Sequence, residues 1–170
     1  MIMKSTVYHE RQQWRFCGVH ALNALAQGPA FSPEIMDDIA AKLSHSTGLS
    51  HKSWFPIGNY DVNVLELACV SQGWELSWID QRIDLSEQIS RFELQESLLG
   101  LVLNLESWKV FGMTGNHWIG IKRISECWWD LDSKLEEPFM FEDSKALVDW
   151  LVKMRLERKA KLFSVSVKSV

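Results

Sequence analysis

The hydrophobic positions of the chain change their spacing about halfway along it, from a helical period to a strand period. Residues 17–27 are apolar on nearly every side, which predicts a buried central helix that ends at Gly28. Ser32 then caps a second helix, with a proline at its first position and apolar residues at helical spacing behind it. A third helix is predicted over residues 60–72. Residues 44–59, rich in Ser, His and Gly, are predicted to form a long loop.

Strand-like spacing dominates the second half of the chain. The predicted strands cover residues 75–79, 101–105, 117–124, 127–133 and 162–167, and two further helices are predicted over residues 85–97 and 142–159. The last helix places Leu147, Leu151 and Met154 on one face, so it is expected to pack on the sheet. Helices followed by strands, with no internal repeat, predict an α+β fold.

Composition narrows the class of protein. A chain of 170 residues with 46% hydrophobic residues can bury a core, which predicts a single domain over residues 1–170. We find no signal-peptide pattern and no long uninterrupted apolar stretch, so neither secretion nor a transmembrane segment is expected. Three dispersed cysteines suit free thiols in a reducing compartment, which predicts an intracellular protein of the cytoplasm, the nucleus or both. The net charge of -4 argues against nucleic acid as the main partner.

Cys17 lies where a loop becomes the first helix, and this is where a cysteine nucleophile would be placed. The free N–H groups and positive dipole end of a helix N-terminus favour the thiolate over the thiol. The simpler interpretation is a buried structural cysteine, which is the usual role of a lone cysteine on an apolar helix. The choice between the two depends on residues about a hundred positions further along the chain.

His117 begins a predicted strand, and a second strand returns after Ser125-Glu126. If these two residues form the hairpin loop, Asp132 lies opposite Ile119 and diagonal to His117 on the same face. Diagonal neighbours are about 7–8 Å apart at the backbone, within reach of an imidazole and a carboxylate. An odd loop length would turn Asp132 to the other face, so the assignment depends on the hairpin register.

Given that register, four residues suit acyl transfer by a thiol. His117 would take the proton of Cys17, and Asp132 would accept from the other ring nitrogen and fix the ring orientation. Gln12 would donate its amide to a developing oxyanion, together with the backbone N–H of Cys17. Asp130 lies on the same face as Asp132 and is the second candidate for the orienting group.

Other histidines and metal chemistry compete with this assignment. His20 lies one helical turn after Cys17 and offers an alternative base, but with no third group to orient it we expect a satisfied histidine beside the site. A zinc site through Cys17 and His20 lacks a second ligand pair, because Cys69 and Cys127 are isolated. The remaining histidines are expected to be exposed loop residues, and they are His9, His45 and His51.

Several segments together are similar to those of the Josephin family, a group of papain-like cysteine proteases that act on ubiquitin. The matching segments, in the family's order, are Tyr8-His9-Glu10-Arg11-Gln12, Cys17, His20-Ala21-Leu22-Asn23, Gly58-Asn59-Tyr60-Asp61-Val62-Asn63, Asn116-His117-Trp118-Ile119 and Asp130-Leu131-Asp132-Ser133-Lys134-Leu135. The resemblance implies a papain-like α+β fold, with the nucleophile on a central helix against an antiparallel sheet and a helical arm over about residues 30–72. It also implies that Cys17, His117 and Asp132 form the catalytic triad and that Gln12 serves the oxyanion.

The resemblance implies a function as well. We expect a deubiquitinase that hydrolyses isopeptide bonds at the ubiquitin C-terminus, acting as a monomer on ubiquitin, polyubiquitin chains and ubiquitinated proteins, with no metal or other cofactor. Val62 and Trp118 are expected on the ubiquitin-contacting surface. Bulky Trp14 and Phe16 before the nucleophile keep a second hypothesis open, a ubiquitin-binding module with weak or vestigial hydrolase activity. A third is another amide-directed thiol enzyme on the same scaffold.

Overall fold

A computed structural model of the chain describes residues 7–13, 15–50, 60–106 and 115–169. These residues form a mixed fold of helices and antiparallel strands, which confirms the predicted α+β class. The helices are α1 (Cys17–Ala26), α2 (Pro33–Thr47), α3 (Val62–Ser71), α4 (Leu85–Glu93) and α5 (Ser144–Arg158). The strands are β1 (Trp74–Trp78), β2 (Leu98–Glu106), β3 (Asn116–Ile124), β4 (Cys127–Asp130), β5 (Phe139–Met140) and β6 (Lys161–Val167).

The strands form one antiparallel sheet in the order β1-β6-β2-β3-β4-β5, with helices on both faces. Strand β2 shows why both faces are covered, because its side chains alternate between two hydrophobic cores. Val102 packs with α1, α2 and α3, whereas Leu101, Leu103 and Leu105 pack with α4 and α5. Leu147 and Leu151 of α5 are buried in the second core, as the sequence predicts.

Helix starts follow the caps that the sequence supplies. Ser32 accepts from the backbone N–H of Ile35 at 3.3 Å and precedes Pro33, which confirms the predicted start of α2. Asp61 accepts from the N–H groups of Asn63 and Val64, at 3.0 and 3.1 Å, and so begins α3. The inner faces of both helices belong to the core that also contains α1, so the two helices rest on the body of the protein.

Four elements differ from the prediction: α4 ends at Glu93 instead of residue 97, β4 ends at Asp130 instead of residue 133, α2 is longer than predicted, and β5 was not predicted. Residues 44–47 were expected to be loop, but α2 continues through Thr47, with the Ser46 and Thr47 hydroxyls bonded back to the Leu43 carbonyl at 2.9 and 2.8 Å. Gly48, with φ of 70°, then ends the helix. Strand β5 was not predicted, because two residues are too few for a detectable period. The rest of the expected loop, over residues 51–59, lies outside the described residues.

Helix α1 lies directly on the sheet because a glycine faces it. A Cβ at Gly120 of β3 would lie 2.9 Å from the Ala21 carbonyl oxygen and 3.3 Å from the Ala24 Cβ. Gly100 of β2 makes a similar close approach, since a Cβ there would lie 2.6 Å from a methyl carbon of Leu25. This contact fixes the distance between α1 and β3, the strand that contains His117.

Candidate active site

Cys17 is the first residue of α1 and is 3% exposed. Phe16, the residue before it, offers no side-chain cap, so the first N–H groups of the helix are not bonded by a capping side chain. The Cys17 Sγ lies 3.8 Å from the carbonyl oxygen of Asn116, the residue before His117. The start of α1 and the start of β3 therefore meet at the thiol. Cys17, Cys69 and Cys127 are all free cysteines, as the sequence predicts.

The β3–β4 hairpin has the register on which the sequence argument depended. Ile124 pairs with Cys127 and Ile121 with Asp130, so Ser125 and Glu126 alone form the loop. Both loop residues have positive φ, 49° and 72°, which matches the twist of the flanking strands. The Leu131 N–H donates to the Gly120 carbonyl at 2.9 Å and continues this register past the end of β4.

This register brings His117 and Asp132 together. The His117 Nε2 and the Asp132 Oδ1 are 2.7 Å apart, with only 5% and 14% of the two side chains exposed. Short contacts between a ring nitrogen and a carboxylate fix the orientation of the imidazole. Asp132, and not Asp130, therefore makes the hydrogen bond with His117.

The Asp132 backbone and side chain are themselves held in place. The Asp132 N–H donates to the Asp130 Oδ1 at 2.9 Å, and the Asp132 Oδ1 accepts from the Lys134 N–H at 2.9 Å. The Asp132 carbonyl lies 2.9 Å from the His9 Nε2. His9 was expected to be an exposed loop residue, and this expectation is wrong, because its half-buried ring is bonded to the turn that carries Asp132.

The surroundings of His117 favour its charged form. Burial lowers the pKa of His117, but hydrogen bonds to Asp132 and Cys17 and the negative charges of both groups outweigh it and raise the pKa to about 9. An imidazolium between a thiol and a carboxylate can donate a proton and interacts favourably with negative charge on the sulfur. The arrangement can therefore supply a charged nucleophile and a proton donor at the same place.

Asp130 is a buried carboxyl group beside this pair. Burial raises the pKa of Asp130 to about 7, although the backbone N–H of Asp132 and the charge of His117 oppose the increase. Its side chain serves as the acceptor for the Asp132 N–H, so it acts on the backbone of the orienting residue.

Gln12 lies on an extended segment that runs beside both α1 and the hairpin. Its backbone N–H donates to the Ser133 carbonyl at 2.7 Å, directly after Asp132. This contact places the residue at the predicted end of the site, and the oxyanion role of its side-chain amide stays a prediction.

A cluster around Glu10 was not predicted. The Glu10 carboxylate accepts from the Tyr8 hydroxyl, from the Asn23 Nδ2 at 3.1 and 3.3 Å, and from the His20 Nδ1 at 2.5 Å. His20 is thus a satisfied histidine beside the site, as expected, and its partner is Glu10. The signal in the sequence is the 3-and-4 spacing of Cys17, His20, Asn23 and Gln27, which forms a polar stripe along a helix read as apolar on nearly every side.

Two residues were expected on a ubiquitin-contacting surface. Trp118 is 2% exposed, its Nε1 donates to the Tyr60 carbonyl at 2.9 Å, and its ring packs on Phe163. This burial corrects the prediction, because the side chain belongs to the core between the sheet and α1. Val62 is half-buried at the first turn of α3, and its contact with ubiquitin stays a prediction.

Neither a metal-ligand cluster nor a membrane-spanning helix occurs among the described residues. Among residues 7–13, 15–50, 60–106 and 115–169, no group of three or more His, Cys, Asp or Glu side chains is arranged to hold a metal ion. Within the same ranges, no helix has the length and apolar character needed to cross a bilayer.

Comparison with known proteins agrees with the fold. The family model described as Josephin matches residues 12–166, so the chain belongs to the Josephin family, which is known as a ubiquitin-related cysteine protease domain. The chain is 34% identical over 171 residues to Josephin-2 of Homo sapiens, an alignment that covers 97% of this chain and 88% of that protein.

More distant relatives match over most of this chain as well. It is 33% identical over 175 residues to a Josephin-like protein of Drosophila melanogaster, covering 96% of this chain and 75% of that protein. It is 22% identical over 153 residues to ataxin-3 of Homo sapiens, covering 82% of this chain and 40% of that protein.

Proposed function

We propose that this chain is a cysteine-type deubiquitinase that hydrolyses isopeptide bonds at the C-terminus of ubiquitin. The observation that carries the proposal is the position of His117, which bonds Asp132 through one ring nitrogen at 2.7 Å and directly follows Asn116, whose carbonyl oxygen lies 3.8 Å from the Cys17 Sγ at the start of α1. Membership of the Josephin family supports ubiquitin as the substrate class. The predicted intracellular location is part of the same proposal.

In the first half of the reaction, the Cys17 thiolate attacks the carbonyl carbon of the scissile bond, and the carbonyl electron pair moves to the oxygen. The Gln12 amide and the Cys17 N–H donate to that oxyanion, and one such donor is commonly worth about 10²–10³ in rate. The oxyanion then collapses and the C–N bond breaks. The departing lysine amine takes its proton from the His117 imidazolium, which leaves a thioester on Cys17.

In the second half, water attacks the thioester while neutral His117 accepts its proton. The C–S bond breaks, the thiolate re-forms beside the imidazolium, and ubiquitin leaves with a free carboxylate. Asp132 holds the ring of His117 in one orientation through both halves. No step requires a group beyond these side chains and water.

The test is covalent labelling by a ubiquitin whose C-terminal carboxyl is replaced with an electrophile. We expect one adduct on the wild-type chain and none on Cys17→Ala. The matched control is Cys127→Ala, because this half-buried cysteine lies on β4 beside the hairpin loop and its removal leaves the start of α1 intact. An adduct that persists in Cys17→Ala would contradict the assignment.

One observation favours the second hypothesis, a ubiquitin-binding module with weak or vestigial activity. Cys17 is 3% exposed, so a substrate carbonyl must gain access to a sulfur that is covered in this structure. Binding of ubiquitin without labelling or chain cleavage would establish that alternative. Turnover of short peptides without dependence on ubiquitin would instead indicate a different amide-directed thiol enzyme.

A further inference from the structure

Residues 8–13, which we call the leading segment, lie along the polar stripe of α1. As the segment advances from Tyr8 to Gln13, its partners on the helix run backwards from Gln27 to His20. The Tyr8 N–H donates to the Gln27 Oε1 at 2.9 Å, Glu10 meets Asn23 and His20, and the Gln13 N–H donates to the His20 Nε2 at 3.3 Å. The leading segment therefore lies antiparallel to α1 along one face, and it ends beside the first turn of the helix.

The two nitrogens of His20 have different partners, which fixes the orientation of the ring. The Nδ1 faces the Glu10 carboxylate and so carries the hydrogen, while the Nε2 accepts from the Gln13 N–H. Glu10 can hold the ring in this way because a carboxylate accepts from several donors at once, here Tyr8, Asn23 and His20. Burial, and then the contact with Glu10, raise the pKa of Tyr8 to about 12, so its hydroxyl stays a donor.

The Glu10–His20 pair contacts the backbone of Gln13, the residue that follows Gln12. His20 bonds the backbone of Gln13 on one side, and the Gln12 N–H bonds the Ser133 carbonyl on the other. The Gln12 backbone is thus fixed between α1 and the turn that carries Asp132. An oxyanion donor stabilises a transition state to the extent that it is already in place, because reorganising it during the reaction costs free energy.

We propose that Glu10 and His20 are positioning residues that act through Gln12, by holding the leading segment against the first turn of α1. This inference rests on the proposed function and adds two residues to it. Neither residue touches the reacting atoms in this assignment. Loss of His20 should therefore lower kcat and leave KM nearly unchanged, because a misplaced oxyanion donor weakens binding of the transition state and not of the substrate.

The kinetic experiment is a double-mutant cycle on a fluorogenic amide at the ubiquitin C-terminus. We expect His20→Ala to lower kcat by about tenfold with KM within about twofold of wild type, and to cause no further loss in a Gln12→Ala background. His20→Gln, which keeps an acceptor for the Gln13 N–H, should recover most of the activity. His45→Ala is the matched control, because His45 is exposed on α2. Equal losses with and without Gln12 would overturn the inference, as would a loss confined to KM.

A second readout does not depend on turnover. Amide hydrogen exchange at Gln13 should be faster in His20→Ala and in Glu10→Gln than in wild type, and unchanged in His45→Ala. Unchanged exchange at Gln13 in both variants would overturn the inference whatever the enzyme does. Faster exchange in a chain whose wild type turns over no ubiquitin substrate would refute the proposed function and leave the anchoring by Glu10 and His20 supported.

Discussion

Two histidine–carboxylate pairs lie close to Cys17, and they differ in what the second ring nitrogen faces. His117 bonds Asp132 at 2.7 Å and turns its other side to the thiol, whereas His20 bonds Glu10 at 2.5 Å and turns its other side to a backbone N–H. Similar pairs therefore suit different tasks. The first can move a proton, and the second can only hold a segment of chain in place. Proximity to the nucleophile along the sequence, which His20 has, does not identify the base.

The largest effect is expected when the His117–Asp132 pair is broken. His117→Ala should lower kcat on a ubiquitin C-terminal amide by about 10³-fold or more, because the variant loses the general base and the partner that stabilises the thiolate. His45→Ala, an exposed histidine of α2, should retain wild-type kcat. Steady-state kinetics with active-site titration provides the measurement, and a His117→Ala enzyme within tenfold of wild type would refute the role of His117.

A smaller effect is expected when the carboxylate of the same pair is removed. Asp132→Ala should lower kcat by about 10²-fold, since the ring of His117 loses its orientation. Because hydrogen bonding and charge from Asp132 raise the pKa of His117 to about 9, the same variant should titrate His117 at lower pH. NMR titration of the ring resonances measures this shift, and an unchanged or higher pKa would show that Asp132 does not stabilise the imidazolium.

The sequence could predict one of the two histidine–carboxylate pairs but not the other. The pairing of His117 with Asp132 could be predicted because a two-residue loop at Ser125-Glu126 fixes the parity of both strands, which is a local property. The pairing of His20 with Glu10 could not, because the leading segment has neither a helical nor a strand period. Trp118 was misplaced for a related reason: an aromatic beside a catalytic histidine suggests a binding surface, but its strand position turns it toward α1 and Tyr60.

A third substitution separates the two pairs, since only the His117–Asp132 pair must meet Cys17 across the contact between α1 and β3, whereas Glu10 bonds His20 on α1 itself. Gly120→Ala would place a Cβ 2.9 Å from the Ala21 carbonyl, so α1 must move away from β3, at a cost of about 1–3 kcal/mol. Activity should fall with stability, while the contacts of Glu10 with α1 persist. Urea denaturation gives the stability. Gly28→Ala is the control, because a Cβ there meets nothing within 4 Å, and an equal loss in both variants would contradict the prediction.

The smallest expected effect on rate concerns Asp130, the buried carboxyl group beside the His117–Asp132 pair. Burial raises the pKa of Asp130 from its ordinary value of 3.8 to about 7, so the neutral form stabilises the fold at low pH, and this contribution is lost as pH rises from about 4 to about 7. Asp130→Asn keeps an acceptor for the Asp132 N–H. It should gain stability relative to wild type as pH rises from about 4 to about 7, with no further gain above about pH 8 and with kcat within about threefold. A stability difference that is constant across this range would contradict it.

The leading segment joins parts of the chain that lie far apart in sequence. His9 meets the carbonyl of a residue 123 positions away, whereas Glu10 meets His20 only 10 positions away. Contacts across such long loops form late in folding, because closure entropy must be overcome before they contribute. A refolding chain should therefore regain the fluorescence of its buried tryptophans before it regains the proposed activity, with the docking of the leading segment as the last kinetic phase.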